Sequence, residues 1–273
     1  MTDTAADPTD IELVHLTVAG GVATITLDSP GNRNALSAQL RSELRERLRA
    51  AGDDDQVRVV VLEHTGSVFC SGMDLRESRG AGADDQGVNE FPEILRQIIE
   101  LDKPVVAKVG GPARAGGVGL VAACDLAVAS DKATFAFTEV RIGVVPAVIS
   151  VVVLPRIAPR AAQELFLTGE VFTAQRAAEV GLINEAVPAE DLHDAVLHHA
   201  TALAKGAPDA VARTKKLLAE ASYSRLPERF SEMLTLSAEM FASEQAQEGM
   251  AAFAEKRAPR WVPGGVDQSA RTR

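Results

Sequence analysis

The chain of 273 residues predicts an α/β core followed by a helical C-terminal region. Three observations carry this reading. Short β-branched runs alternate with amphipathic helical stretches through the first half. Glycine-rich turns stand at the ends of runs that read as buried strands. From about Pro159 onward the β signal nearly vanishes while helical periodicity continues.

Taken in order, Leu13 to Val18 and Val22 to Leu27 read as two strands, joined as a hairpin by Ala19-Gly20-Gly21. Ser37 to Ala51 places Leu40, Leu44 and Leu48 on one face among arginines and glutamates, a helix ended by Gly52. Val57 to Leu62 is a near-continuous apolar run, expected to be a strand buried on both faces. Phe91, Ile94, Leu95, Ile98 and Ile99 define a second helix within Val88 to Leu101. Pro104 to Val109 is another buried strand, and a glycine-rich turn from Gly110 to Gly119 leads into a short helix and the strand Leu126 to Ala129. A loose strand–strand–helix recurrence runs through this half. Beyond it, Ala161 to Leu167, Thr173 to Val180, Ala189 to Ala204, Asp209 to Ala221 and Glu228 to Lys256 are helical, with Leu182 to Val187 as a possible strand.

Composition narrows the function classes. Lys plus Arg is 28 against 38 for Asp plus Glu, a net charge of −10, and an acidic surface without a basic run repels a phosphate backbone. Nucleic acid is therefore not an expected partner. Two cysteines, Cys70 and Cys124, make neither a disulfide framework nor a zinc site. The five histidines show no metal-ligand spacing, so no metal is expected. Ile142 to Leu154, the longest apolar run, is too short to span a bilayer and contains Pro146, so no membrane association is expected. Met1 to Asp10 is acidic and polar, unlike a signal peptide, and with 262–273 reads as a solvated tail; a cytoplasmic location is expected.

Three clusters carry chemistry. Phe69 to Arg76 follows a buried strand, and Ser71, Gly72 and their small neighbours allow a ligand close to the backbone; a plain turn capped by Asp74 is the alternative. No Gly-x-Ser-x-Gly elbow surrounds Ser71. In the second cluster, Gly117-x-Gly119-x-x-Ala122 matches a loose dinucleotide fingerprint, but about eight residues separate Gly117 from Asp125 where a dinucleotide-binding βαβ unit needs about 30. Its glycines suggest close backbone approach to a ligand at a helix N-terminus, or close helix–sheet packing. The third, Phe135 to Gly143, sets Glu139 among apolar residues. Burial there suits a carboxyl to proton transfer, whereas an ion pair with Arg141 or a cap is the bland alternative.

In this order the clusters resemble the crotonase (enoyl-CoA hydratase/isomerase) family from about Leu13 to Trp261. Asn34-Ala35-Leu36, Cys70 to Leu75, Ala115 to Asp125, Gly181 to Asn184 and Glu248 to Arg257 are similar to its successive motifs. The resemblance implies a crotonase-type spiral of ββα units over 11–205, a helical region for oligomer packing over 206–261, and a homotrimer or dimer of trimers. It implies an acyl-CoA thioester substrate, with coenzyme A as part of that substrate and no separate cofactor. Backbone N–H groups of Met73 and Gly116 would form an oxyanion hole, where fixed donors are worth about 3–4 kcal/mol each to a developing enolate. Around it, Arg33, Ala35, Ser71, Gly72, Asp74, Leu75, Arg76 and Gly117 would contact substrate, Arg76 through coenzyme A phosphates. Phe253 and Lys256 would reach the coenzyme A of a neighbouring subunit.

One position departs from the two-glutamate hydratase pattern. Glu139 matches the second catalytic glutamate, but the first falls on Gly119. The run from Glu139 to Ser150 resembles hydratases of branched or dicarboxylic enoyl-CoAs such as 3-methylglutaconyl-CoA, in which the substrate's own carboxylate or another side chain would replace the missing group. The expected activity is hydration of a 2-enoyl-CoA. A Δ3,Δ2-enoyl-CoA isomerase using Glu139 alone, or a catalytically weak acyl-CoA-binding paralogue, are the alternatives. The Val144 to Val153 stretch and the Arg79 to Gly87 loop are the expected pocket walls.

Overall fold

A computed structural model describes residues 11–74, 77 and 90–263. Leu75, Arg76 and the Arg79 to Gly87 loop lie outside the described residues, as do Val88, 1–10 and 264–273. The strands β1 (Val14–Ala19) and β2 (Val22–Leu27) pair antiparallel, and Ala19 stands opposite Val22. Gly20 and Gly21 turn the chain between them with φ of +59° and +81°, the two left-handed positions of a tight hairpin. Helix α1 (Ala38–Asp53) follows, capped by Ser37, whose side chain accepts the Leu40 N–H. Next come β3 (Val59–His64), α2 (Phe91–Glu100), β4 (Val105–Val109), β5 (Ala113–Arg114), α3 (Gly116–Ala123), β6 (Leu126–Ser130) and β7 (Thr134–Ala136). A 3₁₀ turn, Thr138–Ile142, leads to α4 (Ala147–Val153) and α5 (Pro159–Thr168). The chain continues with β8 (Phe172–Thr173), α6 (Ala174–Glu179), β9 (Glu185–Val187), α7 (Leu192–Ala204), α8 (Pro208–Ser222), α9 (Leu226–Phe241) and α10 (Glu244–Ala254).

Six strands form one sheet in the order β1-β2-β3-β4-β6-β9, parallel after the first hairpin. Alternation along β3 shows why its sequence is a continuous apolar run. Val60 and Leu62 face the main core with Leu40, Leu44, Leu48 and Ile94, while Val59 and Val61 meet Leu192, Val196 and Ala200 of α7. A second sheet of three short strands, β5-β7-β8, stands beyond the C-terminal ends of β4 and β6. The units β4-β5-α3 and β6-β7-α4 make the strand–strand–helix recurrence explicit.

Several boundaries move from their sequence-based positions. Helix α1 runs past Gly52 to Asp53, and Gly52 serves packing rather than termination: a side chain there would meet Leu101 Cδ1 at 2.8 Å. The glycine-rich stretch is not one turn: Ala113 and Arg114 pair with β7, and α3 starts at Gly116. The single helix expected over Glu228 to Lys256 is two, because Ser243 caps α10 by accepting the Ala246 N–H at 3.1 Å. Only Glu185–Val187 of the expected Leu182 to Val187 strand pairs, since Leu182 and Ile183 are buried in the preceding turn. The β signal also persists beyond Pro159, in β8.

Candidate active site

Parallel register assembles the site. Cys70 bridges Ala113, and Ala113 pairs with Phe135, so three segments run side by side in one direction. The Arg114 N–H donates to Cys70 O at 2.9 Å, and the Ala115 N–H to Ala136 O at 3.1 Å. Met73 is the third residue after Cys70 and Gly116 the third after Ala113, while Glu139 is the fourth after Phe135. Met73, Gly116 and Glu139 thus each follow closely on one of these three paired segments. A fourth segment joins through the bridge between Leu36 and Met73.

Backbone geometry is specialised where these segments meet. The Leu36 N–H donates to Gly72 O at 2.8 Å, and the trans peptide directs the Met73 N–H away from Leu36. Gly72 has φ +89°, and a Cβ there would lie 3.0 Å from Ala115 Cβ and 3.4 Å from Gly116 N. The 72–73 and 115–116 peptides are thus neighbours. Ala115 adopts φ +46° and ψ −116°, a conformation that costs a side-chain-bearing residue about 1–3 kcal/mol. It turns the chain into α3, where the N–H groups of Gly116 and Gly117 belong to the first turn and have no intrahelical acceptor. Gly117 is required by packing, since a Cβ would stand 2.5 Å from Cys70 O.

Asn34 holds the surrounding loops. It is fully buried; Oδ1 accepts the Ser29 N–H at 2.7 Å, and Nδ2 donates to Thr65 O and Val68 O at 3.1 and 2.8 Å. Arg33 and Asn34 both have positive φ, and the Arg33 carbonyl accepts the Ser71 N–H at 3.1 Å. Ala35 is buried, Ser71 and Asp74 are half-buried, and the Arg33 side chain is exposed.

Glu139 stands on the 3₁₀ turn after β7. Phe137 anchors that turn against Phe166 and Phe172, with ring centroids at 4.3 and 5.8 Å. Helix α10 packs on its far side, with the Gly143 backbone against Gln245 and Gly249 against Ile142. The residue is half-buried overall, but its Oε2 is enclosed and has no hydrogen-bond partner. Burial pushes its carboxyl up to about 7, opposed only by its own backbone N–H. The ion pair with Arg141 does not form: Arg141 Nε donates to Thr168 O at 2.7 Å.

Gly119 is walled in. A Cβ built there would approach Ile149 Cγ2 at 2.7 Å and Phe91 Cζ at 3.5 Å. Phe91 Cζ also stands 3.3 Å from a Cβ on Gly116, and Leu36 Cδ1 stands 2.9 Å from it. Leu36, Phe91 and Ile149 thus form an apolar wall beside the start of α3. Ile149 belongs to the stretch expected to line the pocket. Phe91 was legible only as a core position of its helix, because helical periodicity carries no sign of the segment packed against it. Phe253 and Lys256 are exposed at and just after the end of α10, Phe253 by 59%. Among the described residues, no group of three or more His, Cys, Asp or Glu could hold a metal ion, and no helix is long and apolar enough to cross a membrane.

Comparison with known proteins agrees with this architecture. The family model described as enoyl-CoA hydratase/isomerase matches residues 17–263. The chain belongs to the enoyl-CoA hydratase/isomerase family. It is a crotonase-family enzyme, of a family whose members act on acyl-CoA thioesters. A carnitinyl-CoA dehydratase from Proteus mirabilis is 36% identical over 256 residues, covering 91% of this chain and 97% of that protein. The crystal structure of an enoyl-CoA hydratase from Mycobacterium avium has 44% identity and a TM-score of 0.83, covering 92% of this chain and 99% of that one. A methylmalonyl-CoA decarboxylase in complex with 2-nitronate-propionyl-CoA has 29% identity and a TM-score of 0.81, covering 92% and 98%. The crotonase fold expected from the motifs is therefore the fold of the chain.

Proposed function

We propose that this enzyme adds water reversibly across the C2–C3 double bond of a 2-enoyl-CoA thioester. The observation that carries this reading is Glu139: a carboxyl whose enclosed Oε2 has no hydrogen-bond partner and which burial pushes up to about 7, on the turn that follows the strand paired with Ala113 and Arg114. In the reaction, the N–H groups of Met73 and Gly116 receive the thioester oxygen and stabilise charge as the enolate forms. Ionised Glu139 takes a proton from water as the water oxygen bonds to C3. The protonated carboxyl then returns that proton to C2. One water is consumed, and Glu139 ends as it began. A pKa near 7 suits one group to both transfers. Arg33, Ala35, Ser71, Gly72, Asp74 and Gly117 belong to the substrate-binding rim, together with Leu75 and Arg76 outside the described residues. The family resemblance supports a homotrimer or dimer of trimers, in which the exposed Phe253 and Lys256 would reach a neighbour's coenzyme A.

A mass-spectrometric time course with crotonyl-CoA, a 3-enoyl-CoA and 3-methylglutaconyl-CoA tests the reading. A gain of one water on a 2-enoyl substrate is the expected result, and Glu139→Gln lowers the rate about 10²–10⁴-fold. Unchanged turnover in that variant overturns the role of Glu139. One observation favours a second reading. Ile149 fills the space where another hydratase glutamate would stand, so position 119 supplies no carboxylate to assist the water. A lone Glu139 moving a proton between C2 and C4 would make the enzyme a Δ3,Δ2-enoyl-CoA isomerase, read out as rearrangement of the 3-enoyl thioester without mass gain. Thioester binding with no turnover of any substrate would mark a binding paralogue.

A further inference from the structure

The 3₁₀ turn that carries Glu139 is held from two sides. On one side stands the end of α5. Arg141 Nε donates to Thr168 O at 2.7 Å, and a Cβ on Gly169 would lie 3.1 Å from both Phe137 O and Val140 Cγ2. On the other side stands α10, and there backbone meets backbone. A Cβ on Gly143 would stand 2.4 Å from Gln245 O, and a Cβ on Gly249 would stand 2.2 Å from Ile142 O. Gln245 and Gly249 are four residues apart, so one face of α10 lies along Ile142 and Gly143.

This contact reaches Glu139 through the backbone. The Glu139 carbonyl accepts the N–H groups of Gly143 and Val144, the second at 3.1 Å. Gly143, which α10 touches, is therefore bonded directly to the residue whose carboxyl is enclosed. The helix itself is anchored. Ser243 caps its start, and Glu248 fastens the chain that follows it. Glu248 Oε1 accepts from Arg257 Nη1 at 2.6 Å and from the Arg260 N–H at 2.8 Å, and Oε2 accepts from Arg257 Nη2 at 3.1 Å. Glycine is a poor helix former, so local preference does not account for Gly249 inside α10. The close approach to Ile142 does.

We propose that Gly249 is a positioning residue for Glu139: by letting α10 lie directly on the Ile142 and Gly143 backbone, it sets the depth at which the turn holds the Glu139 carboxyl. The inference rests on the reading of Glu139 as the group that transfers the proton. A methyl at position 249 has to move the turn by about 1 Å or more to reach ordinary contact. A displacement of that size misaligns reacting groups enough to lower a rate about 10²-fold. It also opens the enclosure around Oε2 to water.

Gly249→Ala in the full chain tests the proposal. For whichever thioester the wild type turns over, kcat is expected to fall about 10²-fold with KM within about twofold. In an enzyme that Glu139→Gln impairs, unchanged kcat in folded Gly249→Ala overturns the proposal, as does a change in KM alone. If Glu139→Gln is unimpaired, or no thioester is turned over, the reading of Glu139 fails instead, and a readout independent of turnover decides whether Gly249 sets its depth. That readout is the pH dependence of unfolding. Burial of the Glu139 carboxyl makes wild-type stability fall between about pH 5 and 8. Neither Arg141 on the turn, which bonds Thr168, nor Glu248 on α10, which is held by Arg257, contributes to that shift. With water at Oε2, folded Gly249→Ala shows a slope flattened toward that of Glu139→Gln, and a wild-type slope overturns the proposal. Should Gly249→Ala not fold, hydrogen exchange of the wild type decides. The Gly143 and Val144 amides are expected to be protected as strongly as the interior of α10, and faster exchange in the turn than in α10 overturns the proposal.

Discussion

The contact between Gly119 and Ile149 predicts a measurable coupling. A Cβ on Gly119 would stand 2.7 Å from Ile149 Cγ2, about 1 Å inside ordinary carbon–carbon contact. Overpacking of that kind costs about 1–3 kcal/mol, and the helix-interior change from Gly to Ala returns about 1 kcal/mol. Gly119→Ala should therefore destabilise by about 0–2 kcal/mol. Ile149 is 3% exposed, and truncating it to Ala should cost about 2–5 kcal/mol. In the double variant the new methyl enters the space that Ile149 vacates. The clash disappears, the helix gain remains, and part of the cavity is filled. The double variant should then be about 1–3 kcal/mol more stable than the sum of the singles predicts. Urea unfolding of all four proteins, with a shared m value, measures the cycle. Additivity within about 0.5 kcal/mol would refute the claim that Ile149 is what keeps a side chain out of position 119.

Three further outcomes follow from the same geometry. The Glu139 carboxyl has a pKa of about 7 when folded against 4.5 in the open chain, so below 4.5 both states hold the proton and stability is unaffected. Between these values the unfolded chain ionises while the folded one does not, so stability falls with rising pH by about 3 kcal/mol in total; Glu139→Gln should flatten that slope between pH 5 and 8 in denaturant titrations. Ala115→Gly should stabilise the fold by about 1 kcal/mol, read as a higher melting temperature, because it relieves the φ +46° conformation at the start of α3. Lys215→Met should cost about 3–5 kcal/mol by leaving Asp125 unpaired, and pairing it with Asp125→Asn should recover part of that loss in urea unfolding.

Most of the fold was legible because its signals are local. The β3 run is apolar on both faces because α7 covers one and α1 and α2 cover the other, and continuous β-branched sequence records that. The short strands were not legible. Ala113–Arg114, Thr134–Ala136 and Phe172–Thr173 are two or three residues long, too short for any period to show. They form because distant segments meet, and the β5–β7 pairing is also what sets the register of the site. The gap between α9 and α10 was hidden for a related reason: a serine inside a helical pattern reads as filler until its hydroxyl is seen to accept the Ala246 N–H.

At the site, sequence could name the residues but not their relations. Glu139 was identifiable as a carboxyl in apolar company, yet its proposed role depends on Oε2 having no partner and on Arg141 bonding Thr168 instead. Gly119 was readable as a missing glutamate, which suggests a vacancy. The structure shows no vacancy: Ile149 and Phe91 occupy the region that side chain would enter. That changes the chemical question. An empty slot could hold a water or a substrate carboxylate in place of the lost group, whereas an apolar wall supplies neither a proton nor a charge. Position 119 therefore contributes no acid or base, and the proposed proton transfer rests on Glu139, whose carboxyl burial pushes up to about 7.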